Sequence, residues 1–363
     1  MRYDTIVVGA GPAGLAAARA ARRSGNTTLV LDDNWGPGGQ IWRGREGLDV
    51  DGVELQFSRQ LEDVPSDAGQ VILATGAREL FLPFPGWTLP HVVGAGGLQA
   101  LVKQGLNVRG KRVVVAGSGP LLLAVAANLS KAGAAVVLVA EQTPWEKVAR
   151  FAMQLWRWPS KVFEGLRLGS SKYRAGLWPV EAVSGGVVMS DGVRYECDYL
   201  ACGFGLVPNL ELPMLAGCAI ENGFVKVNRH QQTSVQCVYA VGELTGIGGV
   251  EKAEAEGEAA GSGKVVRGDH GLFVRMLADT FQLREELRKL ARPETIVCRC
   301  EDVPLSRLGG CLNKREAKLQ TRCGMGPCQG RVCGPALEFL YGWPADRVRP
   351  PAFPVTVRRL IDG

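Results

Sequence analysis

Short apolar runs alternate with glycine-rich turns and Ala- or Leu-rich stretches along much of the chain. An apolar, β-branched run at 3–8 leads through a glycine-rich turn and an Ala-rich stretch to a second apolar run at 28–31. The same order recurs with apolar runs at 112–116 and 135–139, joined by a glycine-containing turn and a helical stretch. Strands that alternate with helices in this way predict parallel sheets, so we expect an α/β fold with two Rossmann-like dinucleotide-binding domains.

The first glycine-rich turn reads Gly9-Ala-Gly11-Pro12-Ala-Gly14, and Asp32 ends the strand that follows. In a G-x-G-x-x-G fingerprint the first glycine makes the turn, the second lets backbone approach a pyrophosphate, and the third lets helix and strand pack. The helix N-terminus offers free N–H groups and positive potential to phosphates. A chance glycine-rich turn is the alternative, but strand, turn, helix, strand and acid all occur within one βαβ unit. We therefore predict a dinucleotide site in which Asp32 accepts hydrogen bonds from the ribose.

The second glycine-containing turn repeats this pattern with one departure. Gly117 and Gly119 follow the strand and the next strand leads to Glu141, but Leu122 stands at the third glycine position. A leucine there should separate helix from strand and disturb the phosphate cradle, so nicotinamide binding does not follow from the motif. Because no arginine lies just after Glu141, a working site would favour NAD over NADP.

Three further stretches resemble parts of the two-dinucleotide-domain flavoproteins that include glutathione and thioredoxin reductases. They are Gly36–Trp42 with Gly39 and Gln40, the triplet Ala74-Thr75-Gly76, and Val238–Glu243 with Gly242. The resemblance implies that all three stretches meet an FAD and that Glu243 replaces the family's aspartate at the ribitol. The segment between Asp32 and Ala74 is shorter than the family usually has, which leaves ATP open as an alternative nucleotide there.

The redox disulfide of those reductases has no counterpart in this chain. The first cysteine is Cys197, and it is followed by three scattered cysteines at 202, 218 and 237, which we interpret as small buried hydrophobes. Electrons that leave a flavin therefore need another acceptor. The remaining six of the ten cysteines crowd into the C-terminal part, which in a reducing compartment indicates metal or redox chemistry.

The crowded cysteines occur in the strings CRCEDV, from 298, and TRCGMGPCQGRVCG, from 321. Thiolates suit either an iron–sulfur cluster or zinc, but C-x-C is too tight for the usual zinc knuckle. The strings resemble the bacterioferritin-associated-ferredoxin-like [2Fe–2S] domain. The resemblance implies four ligands, Cys298, Cys300, Cys328 and Cys333. It leaves Cys311 and Cys323 as spare thiols, and zinc on the same ligands is the alternative.

The order of these parts resembles one set of bacterial proteins over nearly the whole chain. The strings GFGLVPN and AVGELTGIGGVEKA strengthen a likeness to the A, or α, subunits of opine oxidases, hydrogen cyanide synthase and D-hydroxyproline or proline dehydrogenases. In that set a second flavoprotein, related to D-amino-acid oxidase, oxidises the amine or imino acid. The resemblance implies that this chain relays electrons to an external acceptor, with an FMN at the subunit interface as a further cofactor.

We expect four segments with distinct roles. They are a first part of the FAD domain at 1–105, an NAD-like domain at 106–221, a second part of the FAD domain at 222–290, and the cluster module with its tail at 291–363. For each tryptophan of a Trp-rich insertion at 144–178, namely Trp145, Trp156, Trp158 and Trp178, a core position is favoured singly. The insertion also carries several lysines and arginines, which makes an amphipathic interface helix plausible. The Pro-rich basic tail at 344–360 is expected to be an extended arm.

Composition narrows the function classes. Apolar residues make up 46% and charged residues 21% of the 363, as in an ordinary globular protein, and the net charge is only +6. Without a basic stripe interleaved with aromatics, nucleic acid is not an expected partner. Glycines interrupt every long apolar run, so we expect neither a signal peptide nor a membrane span, and the cytoplasm is the expected compartment.

Catalytic residues are not apparent. The chain has only three histidines, and none stands in a recognisable constellation with Ser, Cys or Asp. This suits an electron relay, an oxidoreductase subunit that is active with a partner. Two other functions stay open: a stand-alone NAD(P)H-dependent flavin or ferredoxin reductase, and a non-catalytic scaffold subunit.

Overall fold

The computed structural model describes residues 3–48, 50–61, 63–65, 67–268, 270–344 and 348–357. The chain divides into two compact units. The first consists of Met1–Arg78, Pro208–Arg275 and Arg347–Gly363. The second consists of Glu79–Val207 and Met276–Asp346.

The strands are mostly short. In chain order they are β1 Thr5–Val8, β2 Thr28–Leu31, β3 Glu54–Gln56, β4 Gln70–Leu73, β5 Ala77–Glu79, β6 Val92–Gly94, β7 Arg112–Gly117, β8 Ala135–Glu141, β9 Tyr173–Ala175, β10 Pro179–Val183, β11 Gly186–Met189, β12 Arg194–Glu196, β13 Tyr199–Gly203, β14 Leu206–Pro208, β15 Ile220–Glu221, β16 Phe224–Val225, β17 Val238–Ala240, β18 Ile296–Cys298 and β19 Val303–Pro304.

The α-helices are α1 Pro12–Arg23, α2 Ala95–Lys103, α3 Leu121–Lys131, α4 Trp145–Gln154, α5 Pro159–Leu168, α6 Glu211–Leu215, α7 Val250–Ser262, α8 His270–Thr280, α9 Lys314–Thr321 and α10 Cys333–Tyr341. Short 3₁₀ turns cover Leu155–Arg157, Gly242–Thr245, Glu285–Lys289 and Leu305–Leu308.

The first unit is built on a parallel sheet in the order β17-β4-β1-β2-β3. Its central strands are buried on both faces, with Val7 and Ile72 fully inaccessible, as expected for strands covered on both sides. The chain moves from β1 to β2 and β3 on one side and then crosses to β4 on the other. Ligands of such sheets bind where the order reverses, beyond the carboxyl ends of β1 and β4.

The second unit contains a parallel sheet in the order β6-β13-β7-β8-β9 and an antiparallel meander, β10-β11-β12. Its largest core joins the fully buried side chains of Phe84, Leu200 and Met189. The cysteine-rich segment belongs to the same unit. The predicted α/β fold with two Rossmann-like domains is thus confirmed.

The structure divides the chain at different positions from the expected boundaries near 105 and 221. Residues 92–103 belong to the second unit because β6 pairs with β13. Residues 276–290, expected in the FAD domain, lie with the second unit as well. Part of the expected arm at 344–360 lies outside the described residues. Within the rest of that arm, Ala352 packs against the core of the first sheet.

Candidate nucleotide sites and cysteine cluster

The first glycine turn packs too tightly for any side chain at its third glycine. A Cβ on Gly14 would lie 1.7 Å from the carbonyl oxygen of Gly9. Gly11 is the N-cap of α1, Pro12 is its first residue, and a Cβ on Gly11 would meet no atom within 4 Å among the described residues. The turn therefore leaves open space in front of the N-terminus of α1, where the fingerprint places a pyrophosphate.

Asp32 follows β2 and is buried beside this turn. Its carboxylate accepts hydrogen bonds from the backbone N–H of Ala10, at 2.5 Å, and from the backbone N–H of Asn34, at 2.7 Å. The Asn34 side-chain amide donates a third, at 2.8 Å. These bonds fix the carboxylate at the carboxyl edge of the sheet, next to the open space before α1.

The other predicted contact residues of this unit lie against the turn or follow β4. A Cβ on Gly39 would lie 3.2 Å from the Cα of Gly11, whereas its neighbour Gln40 is exposed. Ala74 comes directly after β4, and the Thr75 hydroxyl donates to the carbonyl of Asn209 at 2.9 Å. The Asn209 backbone N–H donates in turn to the Gly76 carbonyl at 3.0 Å.

The segment after β17 folds back on itself. Gly242 donates its N–H to the carboxylate of Glu256 at 2.8 Å. The Glu243 carboxylate accepts from the backbone N–H groups of Gly248 and Gly249, at 3.2 and 3.1 Å. Burial raises the pKa of Glu243. In the present structure, Glu243 therefore binds the turn that precedes α7.

A buried ion pair supports this segment. The Lys252 ammonium lies 2.9 Å from the Glu256 carboxylate and donates to the Gly242 carbonyl at 2.8 Å. Both side chains are more than 90% buried. Because a buried charge is tolerated only when it is paired and hydrogen-bonded, this network fixes the backbone of Gly242.

These residues fit a dinucleotide such as FAD. The open space at Gly11, the N-terminus of α1 and the fixed carboxylate of Asp32 meet at the edge where parallel sheets bind nucleotides. A bound flavin would supply two-electron redox chemistry.

A carboxylate also lies against the second glycine turn. The Glu141 side chain is fully buried and accepts from the Gly119 N–H at 2.7 Å and from the Thr143 N–H at 2.9 Å. Desolvation by burial raises the pKa of Glu141 to about 7, against the backbone bonds that lower it. Glu141 occupies the same position in the second glycine motif as Asp32 in the first, but Glu141 is fully buried.

A segment with no motif of its own covers the second turn. The Ser118 hydroxyl donates to the Phe281 carbonyl at 3.0 Å, and the Gln142 side-chain amide donates to the Gln282 carbonyl at 3.3 Å. The Arg284 N–H donates to the Gln142 side-chain oxygen at 3.2 Å. Residues 281–284 thus lie over the position where a nucleotide would meet this turn.

Leu122 packs into the core beneath α3, with Val113 and Val139, and is 1% exposed. The sequence pointed to this residue as the obstacle to nucleotide binding. The structure adds a feature that the motif does not reveal, the segment 281–284 hydrogen-bonded to Ser118 and Gln142.

Glu141 gives the protein a pH-dependent stability. A carboxyl whose pKa is about 7 in the fold and near 4.5 when unfolded stabilises the fold below pH 4.5 and loses that contribution as pH rises towards 7. The loss is about 3 kcal/mol, at about 1.4 kcal/mol per pKa unit. We expect the thermal midpoint of the wild type to fall between pH 5 and 7.5 more steeply than that of Glu141→Gln. Calorimetry on both proteins measures this, and equal slopes would contradict it.

Five thiols gather in the C-terminal part of the second unit. The Sγ atoms of Cys298, Cys323 and Cys333 all lie within 4.8 Å of one another. Cys300 and Cys328 form a second, hydrogen-bonded pair. Cys298 and Cys333 are likewise hydrogen-bonded. Cys333 is also hydrogen-bonded to Cys323, so the four predicted ligands and Cys323 gather in one group of thiols, a set of donors that suits an iron–sulfur cluster.

Backbone N–H groups point at these sulfurs. Gly324 donates to Cys298, and Gly330, Arg331 and Val332 donate to Cys328. Burial alone would raise the pKa of Cys328, but the backbone donors and Cys300 outweigh it and lower that pKa. N–H groups aimed at sulfur stabilise thiolates and tune iron–sulfur potentials. The residues therefore fit an iron–sulfur cluster, which would supply one-electron transfer.

Gly326 is required by this packing. A Cβ there would lie 2.2 Å from the Cβ of Cys300 and 3.3 Å from its Sγ. A side chain at this position would displace the C-x-C segment from the Cys328 loop.

The remaining cysteines separate into two groups. Cys323, predicted to be spare, joins the cluster, whereas the Cys311 thiol lies 3.8 Å from Gln320 Oε1. Of the mid-chain cysteines, 197, 202 and 218 are buried as expected. Cys237 is exposed, so its interpretation as a buried hydrophobe was wrong. It lies in a turn with φ +60°, directly before β17.

Trp87 anchors the C-x-C segment and was missed by the sequence analysis. Its indole N–H donates to the Ile296 carbonyl at 2.6 Å, and Arg299 lies over its ring at 5.4 Å from the centroid. Trp87 is 2% exposed. Nothing in the sequence around Trp87 indicates this contact, because it joins residues more than 200 positions apart.

The Trp-rich insertion forms α4, a short 3₁₀ turn and α5. Four large apolar side chains are more than 60% exposed here, those of Trp145, Met153, Trp156 and Phe163. Trp178, at the end of the insertion, instead packs on the core with Arg284 over its ring. The core position favoured for each tryptophan is therefore wrong for Trp145 and Trp156. Several large exposed apolar side chains in one segment indicate a contact surface.

None of the helices formed by the described residues combines the length and apolar character needed to cross a bilayer.

Comparison with known families gives two matches. A model described as "Pyridine nucleotide-disulphide oxidoreductase" matches residues 43–257. A second, described as "NAD(P)-binding Rossmann-like domain", matches residues 7–59.

Curated relatives align along nearly the whole chain. The A subunit of opine oxidase from Rhizobium meliloti (strain 1021) is 30% identical over 99% of this chain and 98% of its own length. The HcnB subunit of hydrogen cyanide synthase from Pseudomonas aeruginosa is 28% identical over 96% of this chain and 93% of its own. Among solved structures, L-proline dehydrogenase from P. horikoshii superposes with a TM-score of 0.68 at 19% identity, covering 99% of this chain and 79% of that chain.

Proposed function

We propose that this chain is the electron-transfer subunit of a heteromeric flavin-dependent amine or imino-acid dehydrogenase. The premise is that the chain belongs to the pyridine nucleotide-disulphide oxidoreductase family, together with the A subunits of opine oxidases. Opines, D-hydroxyproline or proline, and glycine are the proposed substrate classes of the whole complex. In this function the chain relays electrons between flavin and a [2Fe–2S] cluster to an external acceptor.

The cysteine cluster is the observation that carries this proposal. A group of five thiols with backbone N–H groups at its sulfurs suits a one-electron carrier. A chain that has both a dinucleotide cradle and such a carrier can pass electrons from a two-electron centre to a one-electron acceptor. If ATP occupied the nucleotide site at the first glycine turn, the flavin of the electron relay would be an FMN at the subunit interface.

A partner flavoprotein is part of the proposal. The relatives are named as subunits, which supports a heteromeric complex. We propose that this partner resembles D-amino-acid oxidase and contacts the exposed cluster of Trp145, Met153, Trp156 and Phe163. The cytoplasm is the proposed compartment, since all ten cysteines are free, as in a reducing environment.

The second glycine turn distinguishes the electron-relay function from that of a stand-alone reductase, because such a reductase would bind NADH or NADPH there. Anaerobic NADH or NADPH is expected to bleach neither flavin nor cluster at a useful rate, because Leu122 replaces the third glycine of the motif and residues 281–284 cover Ser118. Absorbance at the flavin and cluster bands measures this, and dithionite, which needs no site, serves as the positive control. Rapid stoichiometric bleaching by either nucleotide would instead support the NAD(P)H-dependent reductase. A colourless protein that binds neither flavin nor iron would support the scaffold function.

A further inference from the structure

One side of the group of five cysteine thiols is exposed to solvent. Cys298, Cys323 and Cys333 are buried, whereas Cys300 is exposed and Cys328 is half-buried. Around these two thiols, Met325 and Val332 are also exposed, at 45% and 38%. Electrons that leave the cluster for a protein acceptor would take the shortest route, through the edge at Cys300 and Cys328.

A basic and apolar stripe on α9 leads to that edge. Lys314, Ala317 and Thr321 form the buried face of this helix. Arg315, Lys318 and Leu319 lie on the side of the helix next to this face, and Arg322 follows as the C-cap residue. We name these four residues the α9 stripe. Leu319 is 74% exposed. A single exposed leucine is common on protein surfaces, but this one lies beside cations.

The stripe and the cluster edge are joined by one ion pair. Arg322, the C-cap residue that follows α9, binds the Glu301 carboxylate at 2.7 Å. Glu301 follows Cys300 directly and lies close to Gly326, whose added Cβ would be 3.3 Å from its Oε1. The stripe therefore ends at the C-x-C segment.

The charge of this face is positive. Within the part of the chain that the structure describes, exposed Arg315 and half-buried Lys318 form no ion pair, and exposed Arg299 directly precedes Cys300. Glu301 is paired with Arg322, and Glu316, which accepts the Leu312 N–H, and exposed Asp302 also carry negative charge. The four cations thus exceed the three carboxylates by one.

We propose that the α9 stripe, with Met325 and Val332, is the docking surface for an acidic one-electron carrier protein, which receives electrons at the Cys300–Cys328 edge. This inference rests on the proposed relay function. Transient redox complexes have small interfaces, and complementary charge controls how fast and in which orientation they form. The carrier takes up one electron from the chain, and no bond or proton moves.

The test uses the full chain and two probe proteins, acidic cytochrome b5 and basic cytochrome c. Equilibrium binding of the oxidised proteins is measured at low and at moderate salt, and reduction of each cytochrome by the dithionite-reduced chain is followed by stopped flow. Wild type should bind and reduce cytochrome b5 in preference to cytochrome c, and salt should weaken this binding by about tenfold or more. The double variant Arg315→Glu/Lys318→Glu should weaken it by at least about tenfold.

The matched control is Lys264→Glu/Arg267→Glu, which makes the same charge change at exposed positions of the first unit. Binding of cytochrome b5 to this control should stay within about twofold of wild type at moderate salt. Equal losses in the two double variants, preference for cytochrome c, or reoxidation by a neutral quinone alone would overturn the docking surface. A chain that lacks the cluster absorption would contradict the proposed function instead, while the binding measurement would still test the stripe.

Discussion

Serine at any one of the four predicted ligand positions is expected to abolish the visible absorption of a [2Fe–2S] cluster and its EPR signal in the reduced state. The four variants are Cys298→Ser, Cys300→Ser, Cys328→Ser and Cys333→Ser. The structure gathers these thiols in one part of the second unit, and each substitution removes one of the four thiolates that the resemblance assigns to the cluster. Iron and acid-labile sulfide analysis completes the measurement, because a protein that holds zinc alone would be colourless and free of sulfide.

Cys311→Ala and Cys323→Ala are the matched controls, and both should retain the absorption and the EPR signal. Cys311 lies by Gln320, outside the group of five thiols. Cys323 is the more demanding control, since its Sγ lies within 4.8 Å of those of Cys298 and Cys333. Loss of the signal in Cys323→Ala, together with its retention in Cys300→Ser or Cys328→Ser, would show that the three buried thiols hold the metal.

The βαβ units could be predicted because their signals are local. Apolar runs at 112–116 and 135–139 predicted strands that the structure places at Arg112–Gly117 and Ala135–Glu141. A parallel strand buried on both faces must be apolar throughout, and the turn that follows it must contain glycine, so sequence alone specifies both. The edge strand Glu54–Gln56 has no such run and was not predicted.

Features that depend on distant contacts could not be predicted. Residues 281–284 close the second turn through backbone carbonyls, and any sequence supplies those. The carboxylate of Glu79 accepts from the N–H groups of Gly96 and Gly97 at the start of α2, yet its neighbours in sequence give no sign of it. Cys323 was left spare on the resemblance alone, which does not report how close its thiol lies to those of the predicted ligands.

Prediction of the domain boundaries also required knowledge of contacts between residues distant in sequence. Residues 92–94 are only a three-residue strand, and their assignment to the second sheet rests on pairing with β13, which lies about a hundred residues later. A boundary near 105 followed from the position of the second glycine motif. Strand pairing, rather than the motif, decides where one unit ends and the next begins.

Dye reduction with an amine or imino acid is expected only when the chain is co-expressed with its flavoprotein partner. Amine oxidation by a flavin requires a pocket that holds the neutral amine and its carboxylate against the isoalloxazine ring. No arginine or tyrosine clamp of that kind is recognisable in this sequence, and the histidines form no acid–base constellation. Dye reduction should be followed with octopine, nopaline, D-hydroxyproline, proline and glycine, for the isolated chain and for the co-expressed pair. Activity of the isolated chain that the pair does not exceed would contradict the relay.

The same pair of proteins tests the proposed contact surface of the partner. Trp156→Ser and Phe163→Ser remove side chains that are 70% and 72% exposed, so neither substitution should disturb the fold of the chain. Each should reduce co-purification of the partner and substrate-dependent dye reduction together, while cluster absorption is unchanged, because buried aromatic anchors supply most of the free energy of an interface. Leu312→Ser, at a residue that is 78% exposed but lies outside the insertion, is the control and should preserve both. If the partner co-purifies equally well with all three variants, it docks elsewhere on the chain.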